Sequence, residues 1–163
     1  MWELLYRMKY KSDKSVLKII IDTVAEFINN QGWKSYIFIP TPPSLTSRSF
    51  QPVLAIAKCL SKLVGISMYS DCIVKIKETH EHNEVYEFDK RMELLKDAYV
   101  VVTRDVEGRK FLLFDNLCRS GITLNAISQI LKHKGKVSDI YAFTLTKTRR
   151  IKWSRCFFVV LEK

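Results

Sequence analysis

The chain has 163 residues, 47% hydrophobic and 27% charged, and its 27 Lys and Arg against 17 Asp and Glu leave a formal net charge of +10. That length and balance suit a single globular domain over residues 1–163 with a core of its own. They exclude a membrane-spanning protein, because no apolar run approaches the ~20 residues a crossing helix needs, and the wide spacing of Cys59, Cys72, Cys118 and Cys156 excludes a zinc finger or a disulfide framework.

Met1-Trp2-Glu3 lacks the basic-then-apolar order of a signal peptide, so the expected compartment is the cytoplasm. The excess of bases suits a polyanionic partner: nucleic acid, an anionic membrane surface or a phosphorylated small molecule. Composition does not choose among them.

In chain order, Trp2 to Lys11 mixes bases with large side chains, and Ser12-Asp13 offers a helix start. From Ser15 to Asn30, Val16, Leu17, Ile20, Val24, Phe27 and Ile28 recur at helical period, and Asn30-Gln31-Gly32 ends the run. Tyr36 to Ile39 predicts a buried strand, closed by Pro40-Thr41-Pro42-Pro43 because proline cannot donate to a ladder. A hydroxyl-rich loop carrying Arg48 follows. Val53, Leu54, Ala57, Leu60 and Val64 then mark a second helix, with Pro52 in its first turn and Gly65 at its stop.

Ile66 to Val74 contains a short strand-like segment. Residues 75–88 turn strongly polar, a long excursion of the kind that often carries function. Residues 90–96 predict a brief helix, Ala98 to Val102 a strand, and Arg104 to Arg109 a turn. Val137 to Leu145 is a further strand and residues 155–161 a last, edge strand. No internal repeat or low-complexity segment marks a second domain.

The most informative stretch is RKFLLFDNLCRSGITLNAISQILKHK, from Arg109 to Lys134. Phe111, Leu112, Leu113 and Phe114 make a buried parallel strand, Asp115 and Asn116 stand at its end, and Cys118 to Thr123 form a small polar loop. Leu124, Ile127, Ile130 and Leu131 then recur at helical spacing. A helix start offers unpaired N–H groups and a positive dipole end, so this loop can take a phosphate, with Gly121 allowing close approach and Ser120 and Thr123 adding hydroxyls. Asp115 stands where it can accept hydrogen bonds from a sugar. The ordinary alternative is a plain strand-to-helix turn with Thr123 as N-cap.

FLLFDNLCRSGIT resembles the 5-phosphoribosyl 1-pyrophosphate (PRPP) signature of type I phosphoribosyltransferases, a hydrophobic strand ending in two acids before a Thr-Thr-Gly-x-Thr loop. Asp115 keeps the first acid, Asn116 replaces the second, Arg119 and Ser120 stand at the two threonines, and Gly121 and Thr123 match. Three other stretches resemble the ComF-type (competence protein F-like) branch. Lys9-Tyr10-Lys11-Ser12-Asp13 is similar to its Lys-Tyr-x-Gly-Asp entry, and Ile39-Pro40-Thr41-Pro42 with Arg48-Ser49-Phe50-Gln51 to its Ile-Pro-Val-Pro and Arg-Gly-Phe-Asn. Thr79, Arg91, Ala98 and Tyr99 match parts of its Thr-x-x-Gln, Arg-x-x-Asn and Gly-Ala-Phe segments.

The resemblance implies an α/β, Rossmann-like fold with a mostly parallel central sheet flanked by helices. It also implies PRPP or a nucleoside monophosphate as ligand, with magnesium carried on the substrate. By the same carry-over, Asp115 and Asn116 are the catalytic pair holding the ribose hydroxyls, and Cys118, Arg119, Ser120, Gly121, Ile122 and Thr123 cradle the 5′-phosphate. Thr41 and Arg48 contact the pyrophosphate, and Thr79 and Arg91 belong to a flexible loop. Three functions follow: an active phosphoribosyltransferase of unidentified acceptor, a catalytically weak PRPP- or nucleotide-binding regulator, and a nucleic-acid-associated protein.

Overall fold

Alternation along the apolar runs explains how the sheet is covered. In a computed structural model, which describes residues 1–11, 13, 15–43, 50–77, 95, 97–102 and 105–147 and the backbone of 158–160, the runs become β1 (Ile37–Pro40), β4 (Lys110–Cys118) and β5 (Asp139–Lys147). β6 (Phe158–Val160) is added at the edge, giving a parallel sheet of order β1-β4-β5-β6. Phe38, Leu112, Phe114, Phe143 and Leu145 face one side, and Ile37, Ile39, Phe111, Leu113 and Ala142 the other. Both sides are buried, which is why these strands read as unbroken apolar runs.

The first side is covered by α1 (Trp2–Tyr10), α2 (Val16–Asn30) and α3 (Pro52–Val64). Val16, Ile20, Val24 and Ile28 line the inner face of α2, and Ile56, Ala57 and Leu60 that of α3. Pro52 stands in the first turn of α3, and Gly65, at φ 74°, ends it in the left-handed conformation that glycine tolerates. The second side is covered by α4 (Ile122–His133) and by a separate antiparallel pair, β2 (Ile73–Lys75) with β3 (Tyr99–Val101). Asn30 closes α2 and a 3-10 turn, Trp33–Ser35, leads into β1.

The structure departs from the sequence reading in three places. A helix already spans Trp2–Tyr10, ahead of the expected start at Ser12-Asp13. Asp13 instead braces the corner between α1 and α2, accepting from the Arg7 guanidinium and from the Ser15 N–H at 3.0 Å. The short strand expected within Ile66 to Val74 is Ile73–Lys75, and Ser67 and Tyr69 bond to both sides of Phe38 and so cover the outer edge of β1. The strand expected over Val137 to Leu145 is shifted towards the C-terminus, to Asp139–Lys147. Finally, β4 does not stop at Phe114 but runs through Asp115 and Asn116 to Cys118. Of the predicted helix over 90–96, all but residue 95 lies outside the described residues.

Candidate functional site

Two neighbouring parallel strands whose following helices go to opposite faces leave a crevice at their C-terminal ends. β1 and β4 are such a pair, because α3 packs on the side of Phe38 and Phe114 and α4 on the side of Ile39 and Leu113. The last β1–β4 pairing is Pro40 with Phe114, and beyond it β4 continues alongside β5 alone. Thr41, just past β1, donates its N–H to Phe114 O at 2.8 Å and is 4% exposed. Thr41 and Asp115 are thereby brought together where the strands part.

Asp115 Oδ1 accepts the Asn116 N–H at 2.7 Å. The Leu117 N–H and the Thr41 hydroxyl also support the carboxylate, and the Lys9 ammonium of α1 acts on it through space. Burial outweighs all of these and pushes its pKa up to about 6, although the residue keeps some exposed surface. Such a raised value in a crevice is common in functional sites. Across β5, Thr144 lies in register with Asp115 on the same face. Thr144 is fully buried, and its Oγ1 has no hydrogen-bond partner among the described residues. Asn116, one residue on, alternates to the opposite face and is 9% exposed, with its carbonyl accepting from the Thr146 hydroxyl at 3.2 Å.

The loop between strand and helix is shorter than the sequence predicts. Cys118 is the last residue of β4 and Ile122 the first of α4, so the turn consists of Arg119, Ser120 and Gly121. Thr123 is not the N-cap. Gly121 takes that place at φ 74°, a backbone conformation that an L side chain disfavours, and this lets the helix begin two residues sooner. The helical ladder starts with the Asn125 N–H donating to Gly121 O at 2.8 Å, which leaves the N–H groups of Ile122, Thr123 and Leu124 without intrahelical acceptors.

The side chains of Cys118 and Ile122 point into the core, 2% and 4% exposed, so only their backbone is available to a ligand. The Gly121 N–H is directed at the Cys118 sulfur, and burial pushes that thiol up to about 11. Arg119 is exposed, and Ser120 and Thr123 are partly so. Arg48, Thr79 and Arg91 lie outside the described residues. Two neighbours of the site were not singled out from the sequence: Lys9, which lay in the quoted Lys-Tyr motif, and Tyr99, whose phenol meets the Thr123 side chain. The matching of Lys9-Tyr10 and Ala98-Tyr99 to ComF-type segments was the signal that could have found them.

No family model matches the chain. It is 25% identical over 154 residues, 91% of its length, to competence protein ComFC of Bacillus subtilis (strain 168), and it spans 60% of that protein. Solved structures of similar fold include an adenine phosphoribosyltransferase, with a TM-score of 0.61 and 9% identity over 91% of this chain and 81% of that one. A purine phosphoribosyltransferase from Pyrococcus horikoshii Ot3 matches with a TM-score of 0.53 and 16% identity, over 88% of this chain and 81% of its own. At these identities the two structures speak for the fold.

Proposed function

We propose, for a chain that has the type I phosphoribosyltransferase fold and resembles ComF-type proteins, that the β4–α4 junction binds PRPP and transfers its phosphoribosyl group to a nucleophile. The observation that carries this reading is the placement of Asp115 beside the Arg119-Ser120-Gly121 turn, at the crevice between β1 and β4. In it, the free N–H groups at the start of α4 and the Ser120 and Thr123 hydroxyls hold the 5′-phosphate, and Asp115 accepts from a ribose hydroxyl.

In the transfer, the bond from C1′ to the pyrophosphate oxygen breaks while the nucleophile's bond to C1′ forms and its proton leaves. Positive charge develops on the sugar and negative charge on the departing pyrophosphate, so the chain's work is positioning and charge neutralisation. A net charge of +10 suits the second task. Magnesium belongs to this reading as part of the ligand. Asp115 is the one acid between residues 110 and 123, and no group of three or more His, Cys, Asp or Glu among the described residues is placed to hold a metal. The ion would therefore be carried by the pyrophosphate and the ribose oxygens rather than by a protein cage.

Asn116 can hydrogen-bond but adds no negative charge, which favours slow transfer or a regulator that binds without turning over. Thermal melting tests the binding that both share, and PRPP breakdown separates them. PRPP with magnesium should raise the melting temperature, and a panel of bases should then reveal PRPP breakdown if the chain is an enzyme, faster with Asn116→Asp. No stabilisation by PRPP or by any nucleoside monophosphate removes the binding reading.

A second reading, association with single-stranded nucleic acid, is favoured by the outer face of α1. Trp2, Tyr6 and Tyr10 follow at intervals of four and are 54%, 40% and 57% exposed. The Tyr6 and Tyr10 rings lie 5.1 Å apart, with the Lys11 and Lys9 ammonium groups 5.9 and 5.4 Å from their respective centroids. Aromatic faces interleaved with cations are what bases and phosphates stack and pair on. For about three neutralised phosphates, affinity for an oligonucleotide should fall roughly twentyfold between about 50 and 200 mM salt. Tyr6→Ala with Tyr10→Ala should weaken it further, and binding that ignores salt contradicts this reading.

A further inference from the structure

Thr144 carries a hydroxyl in a position that a valine of the same shape would fill without one. It is fully buried, and its Oγ1 has no hydrogen-bond partner among the described residues. Leaving such a group unpaired is costly, so each case calls for a reason. The next threonine along β5 shows the ordinary arrangement: Thr146, also buried, donates its hydroxyl to Asn116 O at 3.2 Å.

The group beside Thr144 is Asp115. The two are register partners on adjoining parallel strands, about 4.8 Å apart, and their side chains share a face. Leu113 and Ala142, one pair back on that face, pack with Leu124 and Ile127 of α4, so the carboxyl and the hydroxyl both lie on the side that this helix covers. Asp115 Oδ1 accepts the Asn116 N–H at 2.7 Å, and the Leu117 N–H and the Thr41 hydroxyl support the carboxylate as well. All three act as donors, which suits a charged group. A neutral acid has a proton of its own to place, and an N–H cannot accept it.

We propose that Thr144 is a positioning residue for Asp115: in the neutral acid the Asp115 Oδ2–H donates to Thr144 Oγ1, and this bond holds the carboxyl under α4 and withholds it from a sugar in the β1–β4 crevice. Charging Asp115 breaks the bond and leaves the carboxylate to its donors and to the ligand. Burial pushes this acid up to about 6, which brings the exchange close to neutrality. The release to a sugar rests on the phosphoribosyl reading; the bond between Asp115 and Thr144 does not.

The test is an NMR titration of the Asp115 carboxyl carbon in the full chain, with no ligand present. A hydrogen bond to the neutral form raises a pKa, so Thr144→Val, which keeps the shape and loses the acceptor, should lower the midpoint by about 1 pH unit. Thr144→Ser should keep the parent's midpoint. Thr144→Val should also resist urea better than the parent at pH 7.5, where the threonine hydroxyl is unpaired, and lose that advantage at pH 4.5. The charged or titratable groups around Asp115 among the described residues are Lys9 of α1, Tyr99 of β3, Cys118 and Arg119 at the end of β4 and Lys147 at the end of β5, while α4 carries none before Lys132. All are common to parent and variant. An unchanged midpoint in Thr144→Val assigns the proton to Thr41 and overturns the proposal, as does a variant less stable than the parent at pH 7.5. The sugar step has its own readout: ribose 5-phosphate should stay bound to a lower pH in Thr144→Val than in the parent, the titration of the phosphate being shared. Equal loss in the two chains overturns that step. No binding to either chain at any pH removes the phosphoribosyl reading, and the carbon titration still decides the bond.

Discussion

Asp115→Asn should make the unliganded protein more stable at pH 7.5 while abolishing its stabilisation by PRPP. The carboxyl has a pKa of about 6 in the fold, raised first of all by burial, against an ordinary aspartate value of 3.8. The sign follows from proton binding: between those two values the folded chain holds a proton that the unfolded chain has released, so stability falls as pH rises through that window. Above it the cost is complete, on the order of 2 kcal/mol after allowance for the residue's partial exposure. The amide removes that cost and keeps the shape.

Urea unfolding of the two chains at pH 4.5 and pH 7.5 checks this, with the advantage of the variant expected to grow with pH. Asp13 and Asp105, whose pKa values are lowered by hydrogen bonds, contribute in the opposite sense at lower pH but are common to both chains and cancel in the comparison. A variant less stable than the parent at pH 7.5 would mean that the Asn116 and Leu117 amides and Thr41 stabilise the charge more than burial costs it. A site kept at the expense of stability is what a ligand-binding carboxylate predicts.

Phe143→Ala should cost about 3–5 kcal/mol, a large share of the 5–15 kcal/mol that a domain of this kind typically has. Phe143 is fully buried. Its ring stacks on Phe114 at 5.6 Å and 23° and on Phe27 at 5.7 Å and 15°, and meets Trp33 edge-on at 6.1 Å. Phe114 stacks in turn on Phe38 at 5.2 Å, so one aromatic row joins β1, β4 and β5 and carries α2 on its flank. Asp115 and Thr144 are the next residues along β4 and β5. Removing the central ring leaves a cavity on the face of the sheet opposite Asp115 and Thr144, and Phe143→Leu, which fills part of it, should cost far less. A fall of less than about 1 kcal/mol for Phe143→Ala, measured by urea unfolding, would contradict the account of the core.

The sheet was legible because its strands are buried on both sides, so Ile37-Phe38-Ile39 and Phe111 to Phe114 stand out without any alternation to decode. α2 and α3 were legible from their period. α1 was not, since Trp2, Tyr6 and Tyr10 face outwards and only Leu5 and Met8 are buried, which blurs the apolar stripe that marks a helix. The extension of β4 was hidden for another reason. Asp115 and Asn116 look like a strand's end by composition, but pairing with β5 carries the strand on to Cys118, a tertiary effect that local sequence does not report.

The site was legible in part. Asp115 and the small loop after it came from the motif, and the structure brings Thr41 to them. The helix start was misplaced because Thr123 is an acceptable cap, whereas a left-handed Gly121 is a better way to turn from strand to helix within three residues. Lys9 and Tyr99 reach the site from distant parts of the chain, so no spacing rule could have joined them to Asp115.

The Arg119-Ser120-Gly121 turn and the first amides of α4 are expected to hold a phosphate. Amide resonances followed during titration with ribose 5-phosphate measure this directly. The largest shifts should fall on Arg119 to Thr123, saturate together, and be absent with ribose alone. Shifts confined to α1, or none at residues 119–123 at saturating ligand, would contradict it.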